Sequence, residues 1–136
     1  MFLYANEVFS SYYREPTEEK LITLLFTLNH LRDWITGGEG WDRINEIPEN
    51  KRSAEQLFYQ RIYDLPEYKK IVNPLCNGLK HCKIELQTEE IAGLRCGIGR
   101  AGDSLGQKYY LIDGKDSRTI FHTVLEEYRK WFDKIP

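Results

Sequence analysis

The most constraining feature of this sequence is a run of apolar residues at helical spacing between two clear boundaries. The apolar positions are Leu21, Leu24, Leu25, Leu28, Leu31 and Ile35. Thr17 is a suitable N-cap, and Glu18 and Glu19 follow it where a helix dipole favours negative charge. The glycines at residues 37–40 end the run because consecutive glycines cost too much backbone entropy in a helix. The segment predicts an amphipathic helix.

Four further segments show helical spacing. The first predicted helix covers residues 3–13, and the last extends from Ile120 to Ile135. Between them, the third helix begins near Ser53 and the fourth begins at Pro66. Ser53 and Gln56 have the form of a capping box. Pro74 predicts a kink or break in the fourth helix, because proline lacks the backbone donor that a helix needs. Between the second and third helices we predict a loop that runs through Pro48.

The pattern changes after Cys82. Polar and apolar residues alternate over residues 83–87, a glycine-rich stretch covers 93–106, and Asp113-Gly114 follows as a turn signal. We therefore predict a mainly α fold, a helical bundle of four to five helices. A small β-hairpin or sheet is inserted at about residues 83–118, between the fourth and last helices. Without repeats or linkers, residues 1–136 are predicted to form a single domain.

Charge and cysteine content narrow the function classes. The net charge is -2, with 19 Lys and Arg against 21 Asp and Glu. The overall charge therefore does not favour non-specific binding to nucleic acid or to an anionic membrane. A local basic patch stays possible. No apolar stretch approaches the roughly 18 residues of a membrane span. The odd number of cysteines predicts thiols, and with no secretory signal pattern at the N-terminus we expect a cytoplasmic protein.

Two polar groups interrupt well-formed helices, and the first lies in the second helix. His30 and Asp33 are three residues apart on neighbouring positions of one face, beside Trp34. An imidazole held by a carboxylate supports acid and base chemistry. The same pair also serves as an ordinary structural contact, so both interpretations stay open.

The second polar group lies near the end of the fourth helix. Asn77 and His81 are four residues apart on one face, and Lys80 lies between them. All three side chains are compatible with phosphate. Alternatively, they form a polar helix end, where Lys80 and His81 complement the negative end of the dipole.

Together these two segments resemble a group of uncharacterised bacterial and phage proteins that are distantly similar to HEPN helical domains. HEPN ribonucleases carry an arginine, then usually a polar residue, then a histidine along one helix; Cys76, Asn77 and His81 fall at the matching positions. The resemblance covers the middle helices. It implies a HEPN-like domain that binds RNA or a protein partner in a defence or toxin-antitoxin context, and it implies a homodimer.

The resemblance also implies an alternative, a metal-independent ribonuclease. His81 would be the general base or acid, Lys80 would stabilise the phosphorane, and Asn77 would position the phosphate. Cys76 stands where the family has its phosphate-holding arginine, and a thiol carries no fixed positive charge. This difference favours binding over catalysis. A purely structural or interaction protein is the third possibility.

The remaining candidates lie in the glycine-rich stretch and among the cysteines. Gly97, Gly99 and Gly102 have dinucleotide-loop spacing but lack its strand and helix context, so we predict a loop whose Arg95 and Arg100 contact phosphate. The predicted binding residues are His30, Asp33, Trp34, Arg95 and Arg100. The soft metal ligands are Cys76, His81, Cys82, Cys96 and His122. Their spacing matches no zinc pattern, so we predict neither a metal nor another cofactor.

Overall fold

The computed structural model describes residues 1–81, 88–93 and 97–134, and these residues form a mainly helical fold. The helices are α1 (Phe2–Arg14), α2 (Glu18–Ile35), α3 (Trp41–Glu46), α4 (Ala54–Asp64), α5 (Asn73–Lys80) and α6 (Ser117–Phe132). The strands are β1 (Thr88–Ala92), β2 (Lys108–Ile112) and β3 (Lys115–Asp116). They form an antiparallel sheet in the order β1-β2-β3, between α5 and α6. The predicted fold class, helices with a small β insertion before the last one, is confirmed.

The helix boundaries follow the capping residues that the sequence offers. Thr17 Oγ1 accepts a hydrogen bond from the Lys20 backbone N–H at 3.3 Å, which fixes the start of α2. Ser53 and Gln56 form both hydrogen bonds of a capping box at the start of α4. Gly37 and Gly38 adopt positive φ angles of 66° and 93° directly after α2, which side chains with a Cβ rarely tolerate. These three predictions are confirmed.

The predicted loop through Pro48 is wrong in one respect, because it contains the short helix α3 and a 3-10 turn at Glu49–Lys51. Trp41, the first residue of α3, stacks on Tyr63 of α4 with ring centroids 4.5 Å apart. Ile44 is completely buried. These contacts are tertiary, so the local glycine-rich pattern gave no signal of them.

The break predicted at Pro74 is absent, because the helix continues through this residue, and a π-helical segment lies directly before it. Tyr68–Val72 form wide turns that continue directly into α5, and the Asn73 N–H donates to the Tyr68 carbonyl five residues earlier. Pro74 is the second residue of α5 and follows the wide turns directly. The chain therefore accommodates the proline by widening the helix.

The core lies between α1, α2, α4 and α6, with the π-helical segment and β2 packed against it. Its buried tyrosines keep their hydroxyls hydrogen-bonded: Tyr128 donates to the Leu28 carbonyl at 2.9 Å, and Tyr12 pairs with Ser117 Oγ at 2.6 Å. Because both bonds join distant parts of the chain, they fix α6 against α2 and α1. This packing holds α2 rigidly in the centre of the molecule.

The β insertion is closed by the predicted turn. Asp113 and Gly114 connect β2 to β3 with φ angles of 48° and 76°, as a two-residue hairpin turn requires. Asp116 then caps α6 by accepting a hydrogen bond from the Arg118 N–H at 2.9 Å. The alternating residues 83–87, predicted to belong to this insertion, lie outside the described residues.

Candidate functional site

The fold brings the two polar segments of the sequence together in one pocket. Asp33 of α2 and Asn77 and Lys80 of α5 line a cavity of about 360 Å³, which we call the α2–α5 pocket. His30 lies next to it: its ring stacks on Phe26 at 6.3 Å, and the Lys80 ammonium lies 5.9 Å from that same Phe26 ring. Residues almost fifty positions apart in sequence thus share one surface.

Arg32 also lines the α2–α5 pocket, and its surroundings are unusual for an arginine. Its side chain is only 9% exposed. Its guanidinium carbon lies 4.8 Å from the ring centres of both Tyr59 and Tyr68 and 5.7 Å from that of Tyr63. These aromatic faces stabilise the positive charge, but they do not accept hydrogen bonds as oxygen atoms do.

The hydrogen-bonding capacity of Arg32 is incompletely used. Within residues 1–81, 88–93 and 97–134, its buried Nε and Nη1 have no hydrogen-bond acceptor. Nε lies 3.4 Å from Asp33 Oδ1, which is an ion-pair distance without hydrogen-bond geometry. Buried donors are nearly always paired in native proteins, and charged donors most of all. Arg32 is therefore a cation with hydrogen-bonding capacity for an additional acceptor.

The wall of the pocket opposite α2 supplies further donors. Asn73, Asn77 and Lys80 follow one another at spacings of four and three residues, so they lie on one face of α5. Asn77 Nδ2 lies 3.5 Å from Asn73 Oδ1, and the Lys80 side chain is exposed. Two amides and one ammonium thus face the same cavity as the Arg32 guanidinium.

Two carboxylates also line the pocket, and they limit what it can hold. Asp33 lies between His30 and Arg32, with carboxylate oxygens 3.6 Å from His30 Nδ1 and 3.4 Å from Arg32 Nε. Asp42 is exposed on α3. The charged lining therefore consists of two cations and two carboxylates, with the Asp33 charge partly offset by its neighbours.

Aromatic side chains hold the guanidinium side of the pocket in place. Tyr59 and Tyr63 line the cavity, and Trp41 stacks on both of them, at 6.2 and 4.5 Å. Burial raises the pKa of Tyr59 to about 12, so its hydroxyl stays protonated at neutral pH. Tyr68 donates to Asn29 Oδ1 at 2.6 Å, which fixes another amide of the lining. The pocket is preorganised by these contacts.

Cys76 and His81, which match motif positions of the HEPN ribonucleases, do not face the α2–α5 pocket. Cys76 is completely buried, and burial raises the pKa of its thiol although Lys80 and Arg32 act in the opposite direction. His81 caps the C-terminus of α5, where its N–H bonds to the Asn77 and Gly78 carbonyls and its side chain is exposed. It does not line the α2–α5 pocket.

The other predicted binding residues lie apart from the pocket. Trp34 is 68% exposed and lines a separate apolar groove beside Trp131. Arg100 is already engaged by the protein: it donates to the Tyr13 hydroxyl at 3.0 Å and to Thr119 Oγ1 at 2.7 Å. Arg95 lies outside the described residues.

Several residues of the pocket were missed at the sequence level, and Arg32 had a signal that could have identified it. It follows Leu28 by four residues and precedes Ile35 by three, so it lies within the apolar stripe of α2. A charged residue on a buried face is rare enough to mark a special site. Asn73 and Trp41 had no such signal, because their places depend on the π-helical segment and on α3.

Comparison with known proteins adds no assignment, since no family model, curated protein or solved structure matches the chain significantly. No group of three or more metal-ligating side chains occurs in the part of the chain that the structure describes. Of the predicted soft ligands, Cys82 and Cys96 lie outside that part. None of the described helices combines the length and apolar character needed to cross a membrane.

Proposed function

We propose that this protein binds RNA by holding a phosphate group in the α2–α5 pocket. The observation that carries the proposal is Arg32, a nearly buried guanidinium that lines the pocket and has two nitrogens without an acceptor among the described residues. Both nitrogens are buried, so a small movement of the Arg32 side chain would turn them toward a bound anion, whose oxygens would then serve as acceptors. Binding is thereby favoured by hydrogen bonds that the free protein does not make.

The chemistry of the lining supports phosphate in particular. A guanidinium offers several N–H groups in a planar fork that matches the oxygens of a phosphate, and Lys80 adds a point charge. Asn73 and Asn77 add neutral donors that do not raise the local charge further. This mixture suits a tetrahedral anion with several oxygens.

The choice of RNA has a separate support. The two sequence segments that resemble HEPN-like proteins are the ones that line or border the α2–α5 pocket, and RNA is the ligand that this resemblance implies. The overall charge of -2 does not oppose it, because a local site suffices for one phosphate. The proposal places the protein in the cytoplasm, where RNA and free thiols such as Cys76 coexist.

Binding without cleavage is the preferred form of the proposal. His81, the histidine expected to act in a ribonuclease, does not line the pocket, and the Cys76 thiol is buried. The activity of a ribonuclease would require a general acid or base at the bound phosphate. Asp33, the carboxylate of the lining nearest to Arg32, is already paired with His30 and Arg32, so we expect the RNA to remain intact.

The test is fluorescence anisotropy with a short labelled single-stranded RNA. Arg32→Met should weaken binding about 10- to 100-fold, because charge-assisted hydrogen bonds are lost. Arg129→Met is the matched control, since Arg129 is an exposed residue of α6 and removes the same charge away from the pocket. It should bind within about twofold of wild type. Equal binding by the Arg32 variant and wild type, or no binding by wild type, contradicts the proposal.

A further inference from the structure

We infer that the α2–α5 pocket takes a terminal phosphate monoester, not an internal phosphodiester of a continuous strand. The inference rests on the proposed function and specifies its ligand class. Three features of the pocket support it: the depth of Arg32, the carboxylates that line the pocket beside the cations, and the number of hydrogen-bond donors.

The depth of Arg32 is the first argument. Its side chain is nine-tenths buried beneath the aromatic rings, whereas Lys80 is exposed on the other wall. A terminal phosphate is attached to its nucleoside through one oxygen only, so it can enter with its free oxygens leading. An internal phosphodiester is attached on both sides. The cavity of about 360 Å³ is near the small end of ligand pockets, so a group attached through one oxygen fits it more readily than a chain that must both enter and leave.

The charges are the second argument. A phosphate monoester carries a charge of about -1.5 to -2 at neutral pH and can engage both cations of the lining, Arg32 and Lys80, at once. Asp33 and Asp42 line the same cavity. A continuous strand would place adjacent phosphates near these carboxylates, and like charges repel at this range. Proteins that hold a strand of phosphates instead use a groove of cations along the backbone.

The number of donors is the third argument. A monoester has three non-bridging oxygens, and the pocket offers three kinds of donor: the Arg32 guanidinium, the Lys80 ammonium and the amides of Asn73 and Asn77. A diester has only two such oxygens and one negative charge. It would leave part of the donor set unpaired, which lowers its affinity relative to the monoester.

Two sources share this chemistry, the phosphorylated end of an RNA and a free mononucleotide. The experiment separates them by anisotropy and calorimetry with four probes. They are one RNA sequence carrying a 5′-phosphate, a 3′-phosphate or hydroxyls at both ends, and a nucleoside 5′-monophosphate. We expect at least one phosphorylated RNA to bind about tenfold more tightly than the hydroxyl form, and Arg32→Met to remove that preference.

Asp42→Asn provides a second readout. Because Asp42 lines the cavity, it repels the bound phosphate of every probe and also the neighbouring phosphates of a strand, so its removal should improve binding of the hydroxyl-ended RNA more than binding of the mononucleotide. A mononucleotide that binds as well as phosphorylated RNA supports the inference and identifies the free nucleotide as sufficient. Equal, Arg32-dependent binding of hydroxyl-ended and phosphorylated RNA overturns the inference and leaves the proposed function standing. Failure of all four probes to bind overturns both.

Discussion

Among the residues that the structure describes, two arginines are almost completely buried, and they are held in opposite ways. Arg118, 1% exposed, donates to both oxygens of Asp116, to both oxygens of Asp103 and to the Ile98 carbonyl. Arg32 is surrounded by tyrosine rings and retains two nitrogens without a hydrogen-bond acceptor in the described residues. One guanidinium is paired within the fold, and the other has donors left over.

The difference separates a structural cation from one available to a ligand. Arg118 connects α6 to residues 97–107 through its bonds to Asp103 and to the Ile98 carbonyl. Asp103 is in turn fixed by the Tyr109 hydroxyl, from which it accepts a hydrogen bond at 2.9 Å. Removing it should therefore affect folding. Arg32 makes no comparable set of bonds, so its removal should affect binding and leave the fold intact. Measurements of unfolding free energy and of ligand affinity on matched variants test whether Arg118 is structural and Arg32 is available to a ligand.

The largest effect is expected for Arg118→Met. Asp103 and Asp116, only 5% and 13% exposed, would be left without their main cationic partner. Breaking a buried ion pair from one side typically costs about 3–5 kcal/mol of unfolding free energy. Urea denaturation measures it. Arg100→Met, which removes a cation 3.5 Å from Asp116 but one-third exposed, should cost clearly less. Equal losses for the two variants would remove the special role of Arg118.

Arg32→Met should change the unfolding free energy by no more than about 1 kcal/mol, or raise it, because two buried Arg32 nitrogens have no acceptor among the described residues and the substitution removes the cost of burying them. Asp33, its ion-pair partner, is one-third exposed and can be hydrated after the change. The same urea series measures this. A loss as large as that of Arg118→Met would make Arg32 a structural residue and would contradict its assignment.

A smaller effect concerns acid stability. Burial raises the pKa of Asp103, but hydrogen bonds from the Arg100 N–H, Arg118 and Tyr109 outweigh it and hold the pKa below its usual range. The stabilisation is therefore present above the ordinary aspartate pKa, near 3.9, and is lost as the pH falls through the lower folded value. Denaturation curves between about pH 5 and 2 should show Asp103→Asn less sensitive to acid than wild type. Parallel pH profiles would exclude this contribution.

The smallest effect is expected for Asn77→Ala. Loss of one neutral hydrogen bond should weaken phosphate or RNA binding about three- to tenfold and leave the unfolding free energy unchanged, because Asn77 is exposed. Asn50→Ala, in the exposed 3-10 turn, is the matched control. Titration calorimetry measures both. Identical affinities for the two variants would show that the α5 wall does not contact the ligand.

Most of the fold could be predicted from the sequence because its signals are local. Thr17, Ser53 and Asp113-Gly114 each determine the backbone through their own conformational preferences or short-range hydrogen bonds. The helix α3 could not be predicted in this way. It depends on the stacking of Trp41 on Tyr63, a contact between different elements.

The candidate site could be predicted only in part. His30, Asp33, Asn77 and Lys80 were identified as polar positions on helices, and the structure brings their two segments together, which the sequence did not predict. Arg32 was not chosen, although the same helical periodicity places it among leucines. Its significance depends on missing acceptors, which no sequence pattern displays. Arg100 was chosen for its charge, but its internal partners become visible only in three dimensions.

The π-helical segment at Tyr68–Val72 makes the orientation of the α5 wall depend on the number of residues that precede it in the helix. One residue of an α-helix corresponds to a rotation of about 100°, so an extra residue in a wide turn re-phases everything that follows. The segment places Tyr68, Ile71 and Val72 in the core before the chain presents Asn73 and Asn77 to the pocket. A change of one residue in chain length here would rotate the α5 wall away from α2. Insertions and deletions, more than substitutions, would thus decide whether this site persists as the sequence diverges.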